Sequence, residues 1–242
     1  MNRITKQATN DFEKQFLERF NFLCQSRSNW QVWTDFITVS AITLANSIDK
    51  TSEVRDEREK EYENCIKRLG GVDIPAEMFS IVVLALEENP EQDFLGSMFM
   101  KLGLGNHWKG QFFTPYNVCK MMSEINSINI EKQISEKGWV SVNDPACGAG
   151  ATLISMANIL KDHKINYQNH ALFVAQDIDR VAGMMCYIQL SLLGCAGYVV
   201  IADTLCNPLT GNVLHPNPNE NQEIWFTPMY ISNVWRLRRF FN

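Results

Sequence analysis

Hydrophobic positions in the first hundred residues follow helical spacing. Phenylalanine recurs at every fourth position over residues 12–20, which predicts a helix with one buried face. An apolar helix is predicted over residues 30–48, and a helix with dense mixed charge, typical of a solvated surface, over residues 51–67. Pro75 is expected to start a further helix. We therefore predict an N-terminal helical domain over residues 1–105.

The pattern changes after residue 105, where short strand-like runs alternate with helical ones. Strands are predicted over residues 139–142, 173–175 and 199–201, and helices over residues 116–125, 152–160 and 181–193. Strands separated by one helix pair in parallel through right-handed crossovers. We therefore expect an α/β fold, with its sheet in a second domain at residues 106–242.

A turn of small residues joins the first predicted strand to the helix after it. It reads Asp-Pro-Ala-Cys-Gly-Ala-Gly over residues 144–150. Gly148 and Gly150 can adopt positive φ, and the helix that follows directs unsatisfied N–H groups at a ligand, which is typical of a nucleotide site. Asp144 would repel a pyrophosphate but would suit the ammonium group of S-adenosylmethionine.

Two more acidic residues follow the next two predicted strands. Asp177 comes after the strand at residues 173–175, and Asp203 after the strand at residues 199–201. Open parallel sheets hold their ligands at the carboxyl ends of the strands. Three carboxylates are therefore expected along one edge, where Asp177 could accept hydrogen bonds from both hydroxyls of a ribose.

Four sequence blocks follow one another along the chain. They are GQFFTP at residues 110–115, DPACGAGA at residues 144–151, a strand ending at Asp177, and ADTL at residues 202–205. In this order they resemble the N6-adenine-specific DNA methyltransferases, particularly the modification subunits of type I restriction-modification systems. The resemblance covers roughly residues 106–206. It implies a Rossmann-like, S-adenosylmethionine-dependent methyltransferase sheet, with DNA as the partner.

The resemblance also implies which residues bind the cofactor. They are Phe113, Thr114, Pro115, Asp144, Ala146, Gly148, Gly150, Asp177, Ile178, Asp203, Thr204 and Leu205. Asp203 would accept from the adenine amine of the cofactor, and Leu205 or its neighbours would cover the ring. Thr114 is expected to be the N-cap of the helix at residues 116–125, beside the methionine carboxylate. Phe113 either lines the pocket or is a core aromatic.

Some residues in these blocks have simpler interpretations. Asp is a common N-cap and turn residue whether or not a ligand binds, and we expect Asp179 to be such a cap. Cys147 could be mistaken for a nucleophile, but its small size in a crowded turn is the preferred explanation.

The catalytic tetrapeptide of the family, Asn or Asp followed by Pro-Pro and an aromatic residue, is absent, so the catalytic residues are unknown. Residues 207–210, Asn-Pro-Leu-Thr, follow Asp203 too closely and lack the aromatic ring. Residues 226–229, Phe-Thr-Pro-Met, could occupy the same place but offer no amide. Asn207, Asn233 and the hydroxyl of Tyr230 are the candidate substitutes.

These departures leave three hypotheses open. The chain is a degenerate or minimal relative that still binds the cofactor, or a partner chain completes its catalytic or specificity elements, or it methylates another substrate. It also lacks the recognition domain of full-length members, so a truncated methyltransferase domain is expected.

Composition restricts the partners. Lys and Arg number 22 against 27 Asp and Glu, a net charge of −5, which argues against strong non-specific DNA binding by the whole surface. The tail at residues 235–241 mixes cations and aromatics as single-strand binders do, but we prefer an amphipathic helix. Residues 207–222 are expected to form a flexible loop.

Cysteine and apolar patterns indicate the compartment. Seven cysteines form no C-x-x-C pair and four histidines are scattered, so we predict no structural metal and a reducing cytoplasm. The polar start predicts no signal peptide, and no apolar run is as long as a membrane span.

Overall fold

A computed structural model describes residues 8–49, 53–106 and 112–241 of the protein. The chain divides into two compact units. The first comprises Met1–Asn89 and Phe94–Phe113, and the second comprises Pro90–Asp93 and Thr114–Asn242. That the chain forms two domains with a boundary at residues 105 and 106 stays a prediction.

The first unit is helical. Its α-helices are α1 (Asp11–Leu23), α2 (Asn29–Ile48), α3 (Glu53–Leu69), α4 (Asp73–Glu88) and α5 (Phe94–Lys101). Asn10 and Ser28 cap α1 and α2 by accepting the backbone N–H groups of Glu13 and Gln31. Phe16 and Phe20 of α1 are buried in an aromatic core, where Phe16 meets Trp33 edge to face with ring centroids 6.1 Å apart.

The second unit is built on a four-stranded sheet. Its strands are β1 (Val140–Asp144), β2 (Ala171–Asp177), β3 (Ala196–Ile201) and β6 (Glu223–Phe226), in the order β1-β2-β3-β6. The first three strands are parallel, and β6 is antiparallel to β3. The protein is therefore an α/β protein, as predicted.

Helices and a hairpin surround this sheet. They are α6 (Tyr116–Asn126), α7 (Ile130–Lys137), α8 (Ala151–Asp162), α9 (Tyr167–His170), α10 (Arg180–Leu192), α11 (Asn233–Phe241), and the hairpin of β4 (Thr210–Asn212) and β5 (His215–Asn217). The crossover α8 joins β1 to β2, and α10 joins β2 to β3.

Burial distinguishes the strands. Side chains of β2 and β3 are almost all buried, whereas Ser141 and Asn143 of β1 are exposed. Among the described residues, no strand pairs with the outer edge of β1. Polar residues at alternate positions suit an edge strand that has one face in water.

Residues 207–222, expected from the sequence to form a flexible loop, contain regular structure. They contain the β4–β5 hairpin, which the hydroxyls of Tyr198 and Tyr230 hold by donating to the carbonyls of Val213 and Leu214 at 3.0 and 2.8 Å. Leu214 is buried in the same cluster as these tyrosines. Proline and glycine content indicated a break in structure, but contacts with residues distant along the chain hold the segment as a hairpin.

The tail forms the helix α11, as preferred from the sequence. It lies at the amino ends of the parallel strands, because Trp235 Nε1 donates to the carbonyl of Gln168, shortly before β2, at 2.7 Å. Arg238 donates to the carbonyl of Gly138, shortly before β1, at 3.0 Å. We call this end of the sheet the amino edge.

Among the described residues, no single helix is long and apolar enough to cross a membrane, although the pair Val54–Leu69 and Asp73–Glu88, bent by 105°, reaches that length and composition together. Within the same residues, no group of three or more His, Cys, Asp or Glu side chains could hold a metal ion.

Candidate cofactor site

Three acidic residues lie at the carboxyl ends of adjacent parallel strands. Asp144 ends β1 and Asp177 ends β2, while Asp203 follows β3 by two residues. The register pairs Asp144 with Ala175 and Asp177 with Ile201, so the three strands end close together. We call this end of the sheet the carboxyl edge.

The glycine turn, residues 144–150, connects β1 to α8. Gly148 and Gly150 have φ of 53° and 96°, the left-handed region that favours glycine. Cys147 N–H donates to the carbonyl of Gln176 at 3.0 Å, which ties the turn to the end of β2. The first N–H groups of a helix have no partner within the helix, and such groups are a common site for a ligand.

Close packing reinforces the glycine requirement at position 150. A Cβ placed on Gly150 would lie 2.9 Å from the Sγ of Cys186 on α10. The turn therefore rests directly on α10, and a side chain at this position would separate the two.

Asp177 holds the glycine turn by its carboxylate. Oδ2 accepts the N–H of Gly148 and Oδ1 accepts the N–H of Asp179, each at 2.8 Å. Burial raises the pKa of Asp177, while these two backbone hydrogen bonds oppose that rise. A carboxylate has about four acceptor positions, so Asp177 keeps capacity for hydroxyl donors of a ligand.

Asp203 organises its own turn in the same manner. Oδ1 accepts the N–H groups of Leu205 and Cys206 at 2.8 and 3.0 Å, and these bonds lower the pKa of Asp203. The hydroxyl of Thr204 donates to the carbonyl of Pro145 at 2.5 Å. This bond joins the Asp203 turn to the glycine turn.

The charge of the carboxyl edge favours a cationic ligand group. Asp144 Oδ1 accepts the nearby N–H of Ala146 at 3.1 Å, and Asp144 lies close enough to Asp177 to contribute to the raised pKa there. The turns at residues 144–150, 177–179 and 203–207 contain no lysine or arginine. An ammonium or sulfonium group fits this set of donors and charges better than a phosphate.

Two large apolar side chains are exposed at this edge. Ile178 is 65% exposed and Leu205 is 92% exposed, each directly after or within an acidic turn. Apolar side chains beside convergent polar groups are typical of ligand sites, where they cover a ring.

The thiol of Cys119 contacts both Thr114 and the start of α8. The thiol of Cys119 lies 3.7 Å from the carbonyl of Thr114, and the hydroxyl of Thr152 lies 3.7 Å from the same sulfur. Thr114 is not the N-cap of α6 that the sequence predicted. Pro115 occupies that position, and its carbonyl accepts the N–H groups of Val118 and Cys119.

The rest of this sequence block lies elsewhere or is not described. Phe113 belongs to the first unit, where its ring lies 5.1 Å from that of Phe99. Residues 110 and 111 lie outside the described residues. A pocket-lining role for Phe113 therefore stays a prediction.

Comparison with known protein families identifies the family of this chain. The model of the family described as N-6 DNA Methylase matches residues 100–240, more than half of the chain. The chain belongs to the N-6 DNA methylase family. Searches of curated proteins and of solved structures return no match. The match spans the glycine turn, Asp177 and Asp203, and it confirms the resemblance identified in the sequence.

This methylase-family chain departs from the expected catalytic part. Residues 226–229 cannot replace the missing tetrapeptide, because β6 runs antiparallel and carries them to the amino edge. There the hydroxyl of Thr227 donates to the carbonyl of Cys195, at the start of β3, at 2.7 Å. Spacing alone suggested a strand in the catalytic place, but strand direction puts its end on the opposite side of the sheet.

Two of the three substitute residues also lie at the amino edge. The hydroxyl of Tyr230 is buried and donates to Leu214, and Asn233 opens α11. Asn207 is different, because its carbonyl accepts from Gln176 Nε2 at 3.2 Å at the carboxyl edge. Its Oδ1 accepts from Asn219 Nδ2 at 2.7 Å.

The simpler interpretations hold at two positions. Asp179 is the N-cap of α10 and accepts the N–H groups of Val181 and Ala182 at 2.9 and 3.1 Å. Cys147 is buried beside Cys186, whose thiol hydrogen-bonds to it and raises its pKa, as does burial. A buried thiol that stays protonated is a poor nucleophile.

Gln176 is a site residue that sequence reasoning missed. Its side chain is buried at the end of β2 and donates to the carbonyls of Ala202 and Asn207, both at 3.2 Å. The backbone carbonyl of Gln176 accepts the N–H of Cys147 in the glycine turn. Gln176 therefore links the glycine turn to the Asp203 turn. The available signal was an amide inside an otherwise apolar strand.

Proposed function

We propose that this protein binds S-adenosylmethionine at the carboxyl edge, through a Rossmann-like methyltransferase fold, and acts in DNA modification of the restriction-modification kind. Adenine N6 would be the methyl acceptor. The observation that carries the proposal is the three acidic turns on adjacent parallel strands, joined by the hydrogen bonds of Asp177, Gln176 and Thr204. Family membership supports the same conclusion.

The chemistry of the donors and acceptors fits the cofactor. Asp177 would accept from the ribose hydroxyls, and Asp203 from the adenine amine, with acceptor positions left over from their backbone bonds. Asp144 would face the ammonium group, and the start of α6 near Thr114 and Pro115 the methionine carboxylate. Ile178 and Leu205 are the exposed apolar side chains that would cover the adenine ring.

When bound, S-adenosylmethionine supplies an activated methyl group. This chain's contribution is to hold and orient the cofactor with Gly148, Gly150 and the acidic turns, and to exclude pyrophosphate ligands by charge. Asn207 is the carboxamide of this chain nearest along the sequence to Asp203, so it is the group we would test for orienting an acceptor amine.

A second candidate function is a cofactor-binding accessory protein without transfer activity. The observation that favours it is the direction of β6, which carries residues 226–229 to the amino edge, away from the acidic turns. A partner chain that supplies the catalytic tetrapeptide, or a different acceptor, would reconcile transfer with the same observation. The seven free thiols are consistent with a reducing cytoplasm as the site of action.

One experiment separates these functions. Calorimetric titration of the purified protein with S-adenosylmethionine measures binding. Incubation with methyl-labelled cofactor and mixed-sequence DNA, followed by nucleoside analysis, measures transfer. We expect saturable binding, and label on adenine would establish methyl transfer by this chain. Binding without transfer supports the accessory function, and label on another base or on protein supports another acceptor. Absence of binding would overturn the proposed function.

A further inference from the structure

A short segment from the first half of the chain packs with the second unit. We call Pro90–Asp93 the strap. Asn158 on α8 donates from Nδ2 to the carbonyl of Pro90 at 2.9 Å. Lys120 Nζ on α6 lies 2.8 Å from Glu91 Oε2. Two helices of the second unit therefore hold the first residues of the strap.

Gln189 on α10 joins the last residue of the strap to the glycine turn. Its Nε2 donates to Asp93 Oδ1 and to the carbonyl of Ala149, both at 2.8 Å. A side-chain amide nitrogen carries two hydrogens, so these bonds use its full donor capacity. Gln189 is 0% exposed and Asp93 is 5% exposed, so water does not replace a lost partner.

The carbonyl that Gln189 holds controls the shape of the turn. Ala149 lies between the two positive-φ glycines, where the backbone has the most freedom to change conformation. Because a peptide unit is planar, fixing the Ala149 carbonyl also fixes the N–H of Gly150, which donates to the carbonyl of Cys147 at 2.8 Å. A rotated peptide would break both bonds.

We propose that Gln189 and Asp93 are positioning residues that hold the glycine turn in its ligand-binding conformation. Asp93 orients the amide of Gln189, and Gln189 fixes the turn. This inference rests on the proposed function for its consequence, cofactor affinity, but the conformation of the turn can be measured without any cofactor.

Two variants separate the two bonds of Gln189. Gln189→Glu removes both donors and places a carboxylate against Asp93. The double variant Asp93→Asn/Gln189→Glu restores the bond to the strap with reversed polarity, because the asparagine introduced in the strap donates to the new carboxylate on α10. The Ala149 carbonyl still lacks the Gln189 donor in the double variant. If the single variant does not fold, Gln189→Met, which is similar in length, takes its place.

Three measurements are made on each variant. They are thermal unfolding, hydrogen exchange of the Gly148 and Gly150 amides without cofactor, and calorimetric affinity for S-adenosylmethionine. We expect the double variant to regain most of the melting temperature lost by Gln189→Glu. Exchange of these amides should stay about tenfold faster than in the wild type, and affinity about tenfold weaker, because the hydrogen bond to Ala149 is still missing.

Asn158→Ala is the matched control, since Asn158 binds the strap but not the glycine turn. It should lower the melting temperature and leave exchange at the turn unchanged. Recovery of both exchange and affinity in the double variant, or unchanged exchange in Gln189→Met, would overturn the proposal. If the wild type binds no cofactor, the proposed function fails, while the exchange data still decide the positioning role.

Discussion

The two ends of the sheet differ in residue type and in how far their apolar side chains are exposed. At the carboxyl edge, acidic turns bind backbone N–H groups while Ile178 and Leu205 remain exposed. At the amino edge, Trp235 and Tyr230 are buried, and Arg239 lies 4.0 Å above the Tyr230 ring and donates to its carbonyl. The amino edge therefore completes the core, whereas apolar side chains at the carboxyl edge stay on the surface.

The largest expected effect concerns the amino edge. Trp235→Ala should lower the free energy of unfolding by about 3–5 kcal/mol, because it removes a fully buried ring and its hydrogen bond to Gln168. Urea denaturation measures this change. Leu237→Ala on the same helix, where the side chain is 55% exposed, should change it by less than about 0.5 kcal/mol. Equal effects would show that α11 does not stabilise the core through Trp235.

A change in the glycine turn should have the next largest effect. Gly150→Ala should cost about 2–3 kcal/mol of unfolding free energy, since it adds left-handed strain and a close contact with Cys186. Gly103→Ala is the matched control, because Gly103 also has positive φ but open space around it. It should cost only the strain, about 1–2 kcal/mol. If the two glycines respond alike, the contact with α10 contributes nothing.

Carboxylate changes test the carboxyl edge as a cofactor site. Asp144→Ala and Asp177→Ala should each weaken binding of S-adenosylmethionine by at least about 1.5 kcal/mol, the scale of a lost charge-assisted hydrogen bond. Calorimetry measures the affinities. Arg236→Ala, on α11 at the amino edge, should leave affinity unaltered. Unchanged affinity in both aspartate variants would contradict the assignment of this edge.

The smallest effect is a difference in pH dependence between two carboxylates. Burial raises the pKa of Asp177, so its contribution to stability is present below the ordinary carboxyl pKa of about 3.9 and is lost as pH rises through the raised value. Backbone hydrogen bonds lower the pKa of Asp203, so its contribution is present above about 3.9 and is lost as pH falls.

Acid titration of stability tests these opposite signs. Stability of the wild type should fall as pH rises above about 3.9 because of Asp177, and Asp177→Asn should abolish this fall. It should also fall as pH drops below about 3.9 because of Asp203, and Asp203→Asn should abolish that fall. Urea midpoints measured in small pH steps give both slopes. The same sign of change in both variants would mean that the two turns do not differ in environment.

Much of the fold follows from local patterns in the sequence. The helix at residues 30–48 appears as Asn29–Ile48, and that at residues 181–193 as Arg180–Leu192, because apolar periodicity and capping residues are local signals. Three carboxylates at one edge follow from strand–helix alternation. Their part in binding a cofactor remains a prediction until it is measured.

Apart from the N-cap of α6, which moved by one residue, the failures involve partners that are distant along the chain. Strand direction decided that residues 226–229 lie away from the acidic turns, and a strand pattern does not specify whether it pairs parallel or antiparallel. Gln176 and Gln189 each hold a carbonyl from another segment. Their sequences show only an amide within an apolar element, without the identity of its partner.

The sequence by itself determined the α/β class, the glycine turn and the order of the acidic turns, because backbone conformation and strand–helix alternation depend on residues close along the chain. Only the tertiary structure decided which edge each candidate occupies and which amides fix the turns. Those features depend on strand direction and on hydrogen bonds between residues such as Asp93 and Gln189, which are far apart in sequence and meet only in the folded chain.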